Sequence, residues 1–172
     1  MQNTPAIDVG AYLEFGPRLS TVRETTEILM GGAVLVGVRG PLHIGIGGAV
    51  LAGKNQIPGD AVGSDLELGV GYAGVQVSYW GLGSSSLKWG AGVLVGAGNA
   101  KVSLKAVDTE IAADNFGVIE PDVGVRAPIA DLLSVSARLG YRLVYGVEDL
   151  PEIGRDQLRG LSISIGLSFG PF

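Results

Sequence analysis

The last twelve residues, LSISIGLSFGPF (residues 161–172), decide what kind of protein this is. Serine and glycine alternate there with five apolar residues, Leu161, Ile163, Ile165, Leu167 and Phe169. Because successive side chains of a β-strand point to opposite faces, this strand has one apolar face and one small, polar face. In a soluble protein the apolar face is buried, whereas in a barrel that crosses a membrane it faces lipid.

The composition favours β-structure. Hydrophobic residues make up 47% of the 172 residues and charged residues only 17%, whereas about a quarter of an average soluble protein is charged. The sequence nevertheless has no run of roughly 20 apolar residues, which a membrane-spanning helix needs. Its 29 glycines also disfavour long helices. We predict one domain, residues 1–172.

Charge and cysteine content exclude several functions. The net charge of −5 argues against the basic surface that a nucleic-acid-binding protein needs. The chain has no cysteine, so disulfides and thiolate metal sites are excluded. We predict no cofactor and no bound metal.

Eight segments share the alternation of the last strand. They lie at about 6–16, 27–39, 42–53, 65–80, 87–98, 116–127, 132–145 and 160–170. Each has about the length that a tilted membrane strand needs. The links between them alternate between long polar ones and short ones such as RGPL and APIADL. Because an up-and-down meander places alternate links at opposite ends, we predict an all-β, eight-stranded antiparallel up-and-down transmembrane β-barrel.

In each segment one row of alternating side chains carries no charge, and the opposite row combines Gly, Ala and Ser with charges of both signs. Small residues suit a narrow barrel interior, and buried charges are tolerated when they are paired. We therefore predict a lumenal ion-pair network, joined by Tyr12, of Glu14, Glu67, Glu120, Asp122, Arg126, Arg138 and Arg142. The alternative is a set of solvent-exposed ion pairs on a soluble sheet.

Aromatic residues lie near the segment ends, as in the two interfacial girdles of membrane barrels. We predict a girdle at the short-turn end formed by Tyr79, Trp80, Trp89, Phe169 and Phe172. The other girdle, at the long-loop end, is predicted to contain Phe15, Tyr145 and Phe116.

Two irregularities are also predicted. In segment four the apolar row shifts from Tyr72 to Val75, which indicates a β-bulge near Ala73 and Gly74. In segment six Pro121 cannot donate a ladder hydrogen bond, so a bulge or a missing bond is expected there.

Together these features resemble the small eight-stranded outer-membrane barrels of the OmpA transmembrane-domain and OmpX kind. The resemblance covers the whole chain and rests on the eight segments, the alternating links and the ending ISIGLSFGPF. It implies that Phe172 is the signal for the barrel assembly machinery. Gly170 and Pro171 depart from the usual spacing of that signal, which makes Phe169 a second candidate for the anchoring role.

The resemblance also implies a location and partners. The barrel would lie in the bacterial outer membrane as a monomer, with long loops outside the cell and termini in the periplasm. Its partners would be outer-membrane lipids, including a lipopolysaccharide-type glycolipid, the assembly machinery, and an unidentified molecule bound by the loops.

Catalysis is not predicted. His43 is the only histidine, and no set of nucleophile, base and orienting group can be assembled around it. Acidic residues cluster in the third and fourth long links, at Asp108, Glu110, Asp114, Glu148, Asp149, Glu152 and Asp156. They lack the spacing of a calcium loop, so we predict solvated loop charges.

Three hypotheses for the function follow. The first is a membrane barrel whose lumen is plugged by side chains and whose role is structural or adhesive. The second is a narrow pore for small solutes or ions, which is favoured by the lumenal glycines Gly31, Gly45, Gly47, Gly92 and Gly96. The third is a soluble, lipocalin-like barrel that binds an apolar ligand against an apolar interior.

Overall fold

The structure is a computed structural model that describes residues 10–22, 25–52, 55–57, 66–84, 86–104, 109–147 and 155–170. This part of the chain contains one short helix, α1 (Arg155–Leu158), and nine strands joined by turns and irregular segments. The strands are β1 (Ala11–Val22), β2 (Thr25–Arg39), β3 (Leu42–Leu51), β4 (Asn55–Ile57), β5 (Leu66–Gly83), β6 (Lys88–Leu104), β7 (Thr109–Ala130), β8 (Leu133–Tyr145) and β9 (Gly160–Phe169). No helix in the described ranges is long and apolar enough to cross a bilayer.

Eight long strands close an antiparallel up-and-down barrel. Strand β1 closes against β9, β3 pairs directly with β5, and the short β4 lies along the end of β5. The predicted fold class is therefore confirmed. We call the end that carries the β2–β3, β5–β6 and β7–β8 turns the short-turn end, and the opposite end the long-loop end.

The strands are strongly staggered around the barrel. The stagger can be measured by starting at Phe169 of β9 and moving around the barrel, at each step to the residue paired with it on the next strand. The residues met in this order are Leu13, Val34, Ile46, Val75, Val95, Ile119 and Leu143. The β8–β9 register pairs Arg142 with Gly160, so its continuation by one residue places Leu143 opposite Arg159. One circuit of the barrel therefore ends ten residues before Phe169, where it began. Closed eight-stranded sheets of this kind tilt their strands by about 40° and leave an interior just wide enough for side chains.

The apolar row of the last strand lies outside the barrel. Ile165 is 60% exposed in β9, whereas Ser168 is completely buried. The other long strands show the same arrangement, and Ile46 on β3 is 67% exposed. This orientation is the reverse of a lipocalin-like barrel, in which the apolar row would line the interior.

Inward-facing glycines allow the sheet to curve this tightly. A Cβ atom on Gly45 would overlap the carbonyl oxygen of Val34 on β2, and one on Gly96 would overlap that of Ala73 on β5. Neighbouring backbones therefore approach each other where only glycine leaves room for them.

Several strands are longer than predicted. The first was expected at 6–16 but lies at Ala11–Val22, while residues 1–9 are outside the described part. The polar link at 16–26 mostly belongs to β1 and β2, because Leu19 continues the outward row and Ser20 the inward one. Strands β6 and β7 likewise take up most of the link predicted at 99–115.

The two predicted irregularities have different outcomes. The bulge at Ala73–Gly74 is wrong, because β5 keeps one register there with both β3 and β6. Leu68, Val70 and Tyr72 face the lumen instead. At Pro121 the β7–β8 pairing is interrupted over residues 120–121 and resumes at Asp122 without a register change, which is the predicted missing bond rather than a bulge.

Candidate functional site: the charged lumen

Glu14 is the centre of the ion-pair cluster nearer the short-turn end. Arg138 donates to it twice, from Nε to Oε1 at 2.9 Å and from Nη2 to Oε2 at 3.0 Å. Arg126 donates from Nη2 to Oε2 at 2.8 Å, and Ser168 from Oγ to Oε2 at 3.2 Å. Arg138 also donates from Nη1 to Oδ1 of Asp122 at 3.0 Å. This cluster joins strands β1, β7, β8 and β9.

Glu120 is the centre of a second cluster. Nη1 of Arg18 donates to Oε1 and Oε2 of Glu120 at 2.7 and 2.8 Å. The hydroxyl of Tyr72 donates to Oε2 at 2.6 Å, and that of Ser162 to Oε1 at 2.7 Å. Arg18 also donates to the Tyr72 hydroxyl at 2.7 Å. Arg18 was missed because it was assigned to a link, although continuing the alternation from Glu14 places it in the inward row.

An aromatic layer lies below these clusters, at the short-turn end. The guanidinium carbon of Arg126 is 4.3 Å from the ring centres of both Tyr12 and Trp80, and that of Arg138 is 4.7 Å from the Trp80 ring. Such contacts stabilise a desolvated cation. His43 packs edge-on against Tyr12 at 5.2 Å, and its Nδ1 lies 3.1 Å from the carbonyl oxygen of Pro41.

Trp80 is therefore a correction to the predicted girdle, because it is only 4% exposed and faces the lumen. The physical reason is alternation. Tyr79 faces outward, so its neighbour in the strand must face inward. Trp89 and Phe169 are exposed on the outer surface of the short-turn half, and their place in a girdle stays a prediction.

The long-loop girdle is also partly corrected. Tyr145 is exposed at the end of β8 in that half of the barrel. Phe15 pairs with Leu167, two residues from Phe169, so it lies in the short-turn half, because β1 begins later than predicted. Phe116 is buried in the lumen. The predicted assembly signal, Phe172, is outside the described residues.

Arg142 differs from the prediction of an ion-pair partner. It is fully buried and donates from Nε to the carbonyl oxygen of Leu158 at 2.8 Å and from Nη2 to that of Thr21 at 3.3 Å. Because Leu158 belongs to α1 and Thr21 to β1, these two hydrogen bonds of Arg142 hold α1 against the barrel. Glu67 is buried in the row of β5 that alternates with lumenal Leu68, opposite Ser103 of β6, and so lies outside both clusters.

The lumen at the long-loop end is apolar. Leu158 of α1 is fully buried and packs against a layer of apolar side chains in this part of the lumen. The layer consists of Leu29, Ala49, Leu68, Val70, Tyr72, Leu94, Ala100, Val102, Phe116, Val118 and Val144. Sequence reasoning missed it because apolar side chains that face lipid and apolar side chains that fill a lumen look alike in a single strand.

Little space remains between the charged side chains. A cavity of about 30 Å³ lies beside Glu14, Arg18, Gln76 and Arg138, which is room for one or two water molecules. Of the glycines that favoured a pore, Gly31 lines this small cavity, and two others are covered by side chains. The side-chain oxygen of Gln76 fills the position a Cβ of Gly47 would take, and Asp122 approaches Gly92 in the same way.

The acidic residues of the predicted long links are scattered. Asp156 lies in α1 and pairs with Arg159 at 3.0 Å, and Glu110 and Asp114 lie in β7. Asp108, Glu148, Asp149 and Glu152 are outside the described residues. Within the described ranges, no group of three His, Asp or Glu side chains is placed to hold a metal ion.

Comparison with known proteins identifies the architecture. No family model and no curated protein matches the chain. Among solved structures, Neisserial surface protein A (NspA) is similar with a TM-score of 0.60, 14% identity and coverage of 94% of this chain and 96% of its own. The attachment invasion locus protein Ail of Yersinia pestis has a TM-score of 0.61, 10% identity and coverage of 95% and 99%. A major outer membrane protein from Thermus thermophilus has a TM-score of 0.57, 13% identity and coverage of 93% and 98%.

The chain has the fold of the small eight-stranded outer-membrane β-barrels. The matched structures cover nearly the whole chain and nearly the whole of each relative. At 10–14% identity the likeness is one of fold, and the residues of the charged lumen are argued from this chain alone.

The two hydrogen bonds of the Tyr72 hydroxyl give a testable prediction. Tyr72→Phe removes the bonds to Glu120 and Arg18, so we expect the free energy of unfolding to fall by about 1.5–3 kcal/mol. Urea unfolding in lipid vesicles measures this. Tyr79→Phe on the outer face of the same strand is the matched control, expected to stay within about 0.5 kcal/mol of wild type. Equal effects of both changes would contradict the prediction.

Proposed function

We propose that this chain is an integral outer-membrane protein of a bacterium, with a closed lumen and a structural or adhesive role. The observation that carries the proposal is the outer surface. Apolar side chains such as Ile46, Val123 and Ile163 are about half exposed or more around the barrel. Monomeric soluble proteins rarely expose apolar patches of this size, whereas lipid solvates them.

The closed lumen is supported by its contents. Salt-bridged side chains fill the middle of the barrel, the rings of Tyr12 and Trp80 pack against them on the short-turn side, and an apolar layer with Leu158 fills the long-loop half. The narrow pore of the second hypothesis would need a continuous aqueous path through these layers. The small cavity beside Glu14 does not provide one.

The orientation and partners of the barrel belong to the same proposal. We place the short-turn end and both termini in the periplasm and the long-loop end outside the cell. Outer-membrane lipids, including a lipopolysaccharide-type glycolipid, would surround the apolar belt. The assembly machinery would recognise the C-terminal strand that ends in Phe172.

The adhesive role rests on the long-loop end. The name of Ail assigns attachment and invasion to that protein, and NspA is named as a surface protein. If the lumen is closed to solutes, the barrel can interact with other molecules only through its surface. We propose by this analogy that the long-loop end binds an extracellular molecule.

Two measurements test the proposal. In planar lipid bilayers we expect no steady ohmic current from the purified protein, under conditions in which an open porin conducts. A steady current would contradict the closed lumen. In cell fractionation the natural protein should require detergent for extraction, and its recovery in the soluble fraction would contradict the membrane location.

A further inference from the structure

A cavity of about 450 Å³ lies in the short-turn mouth of the barrel. Its walls are formed by Lys88 of β6, by Arg126 and the end of β7 at 128–130, by Asp131 of the following turn, and by Ser134 of β8. This volume is within the range of small-molecule sites, about 300–1,000 Å³. A structural or adhesive role at the opposite end of the barrel does not use it.

The cavity wall contains a hydrogen-bonding group without a partner. Ser134 is completely buried, and its Oγ has no hydrogen-bond partner. Two further buried atoms at this end also have none, the hydroxyl of Ser136 and Nε1 of Trp80. Ser136 pairs with Arg126 across β7 and β8, and Trp80 packs against the Arg126 guanidinium. Because buried polar groups are almost always satisfied, the unpartnered hydroxyl of Ser134 in the cavity wall indicates a polar ligand there.

The charges of the mouth favour an anion. Arg126 is held in place by Glu14 and by the two rings that sandwich it, so its position at the wall is fixed. The cluster of Glu14, Asp122, Arg126 and Arg138 has two charges of each sign. Half-buried Lys88 forms no ion pair with any described residue, and it therefore adds one positive charge to the cavity wall.

The rim adds an apolar surface and one opposing charge. Ile129 is exposed beside Pro128 at the end of β7, so a bound molecule can bury an apolar group there. Exposed Asp131 lies in the turn that follows β7 and repels an anion through solvent. These features together indicate a small molecule with an anionic head and a short apolar tail.

We propose that the short-turn mouth is a binding site for a small amphipathic anion. Its carboxylate or phosphate group accepts hydrogen bonds from Lys88 and Ser134 beside Arg126, and its tail packs against Ile129. In the orientation proposed above, this ligand arrives from the periplasm. The site itself depends only on the described side chains and not on that orientation.

Tryptophan fluorescence can test this proposal on the full chain in detergent. The chain has two tryptophans, so Trp89→Phe leaves Trp80 as the reporter beside Arg126. The probes are 4-methylpentanoate and 3-methylbutyl phosphate, with the neutral 4-methylpentanamide as the control for partition into micelles. We expect a saturable change with at least one anion and none with the amide, and the tighter anion identifies the head group.

Three variants distinguish the site from non-specific binding. We expect Lys88→Gln to weaken anion binding by about tenfold, because a charge-assisted hydrogen bond is lost. Ser134→Ala should also weaken binding without lowering the midpoint of unfolding, because its hydroxyl has no partner within the protein. Asp131→Asn should tighten binding about two- to fivefold by removing the repulsion.

The matched control is Lys101→Gln, at the other end of β6, which should leave binding unchanged. Equal responses to the amide and to both anions would overturn the proposal. Unchanged anion affinity in both Lys88→Gln and Asp131→Asn would overturn it as well. Since neither change touches the salt-bridged clusters, a failure here leaves the proposed membrane role intact.

Discussion

Replacing Glu14 with glutamine is expected to lower the free energy of unfolding by about 3–5 kcal/mol, the usual cost of breaking a buried ion pair from one side. Glu14 accepts hydrogen bonds from both Arg126 and Arg138, which are almost completely buried. The neutral amide removes the carboxylate charge that Arg126 and Arg138 share in the lumen, while Asp122 stays paired with Arg138. Urea titration in lipid vesicles should show a lower midpoint with an unchanged slope.

Asp156→Asn is the matched control for this change. It breaks the ion pair between Asp156 of α1, whose carboxylate is well exposed, and Arg159, and it should cost at most about 1 kcal/mol. The double variant Glu14→Gln with Arg138→Met should recover part of the lost stability, because it removes one uncompensated charge. A loss for Glu14→Gln no larger than for Asp156→Asn would contradict a desolvated network.

Replacing Gly96 with alanine is expected to prevent barrel closure or to cost at least about 3 kcal/mol, beyond ordinary overpacking of a core. Its Cβ would overlap the carbonyl oxygen of Ala73 and the Cα of Gly74 on β5. Both are backbone atoms of a paired strand, so neither can move aside as a side chain would. The folded fraction after dilution into vesicles, read by the mobility shift of the folded barrel on unheated gels, measures the effect.

Gly69→Ala is the control, because a Cβ there meets nothing within 4 Å. Gly69 lies on the same sheet and faces outward, so alanine should be tolerated without loss of folding. If Gly96→Ala folds as well as Gly69→Ala, the close approach of β5 and β6 is not required for closure.

The sequence predicts the architecture well because alternation is a local property. Each outward row, such as Leu161 to Phe169, is uninterrupted over a whole strand and fixes which residues share a face. The number of strands and their up-and-down order follow from these rows and the links. Glu14, Asp122, Arg126 and Arg138 could be grouped in advance because charges of both signs fall in the inward row.

Alternation does not fix where a strand ends or what fills the lumen. Arg18 lies in a stretch with polar residues and a proline, and it becomes a lumenal residue only because β1 continues through Val22. Leu68 and Val70 are as apolar as the residues that face outward, so the alternation placed them in the outward row and required a bulge near Ala73. The apolar layer at the long-loop end becomes visible only when the pairing of all strands is known.

The most direct test of the account is a spin-label scan along β9. Residues 1–172 contain no cysteine, so single cysteines at positions 161–169 can be labelled one at a time in vesicles. We expect high accessibility to membrane-dissolved oxygen at Leu161, Ile163, Ile165 and Leu167, and low accessibility at Ser162, Ser164 and Gly166 between them. A period of two with the odd positions facing lipid is the predicted result, and oxygen accessibility that peaks at the even positions, or shows no period, would contradict the account.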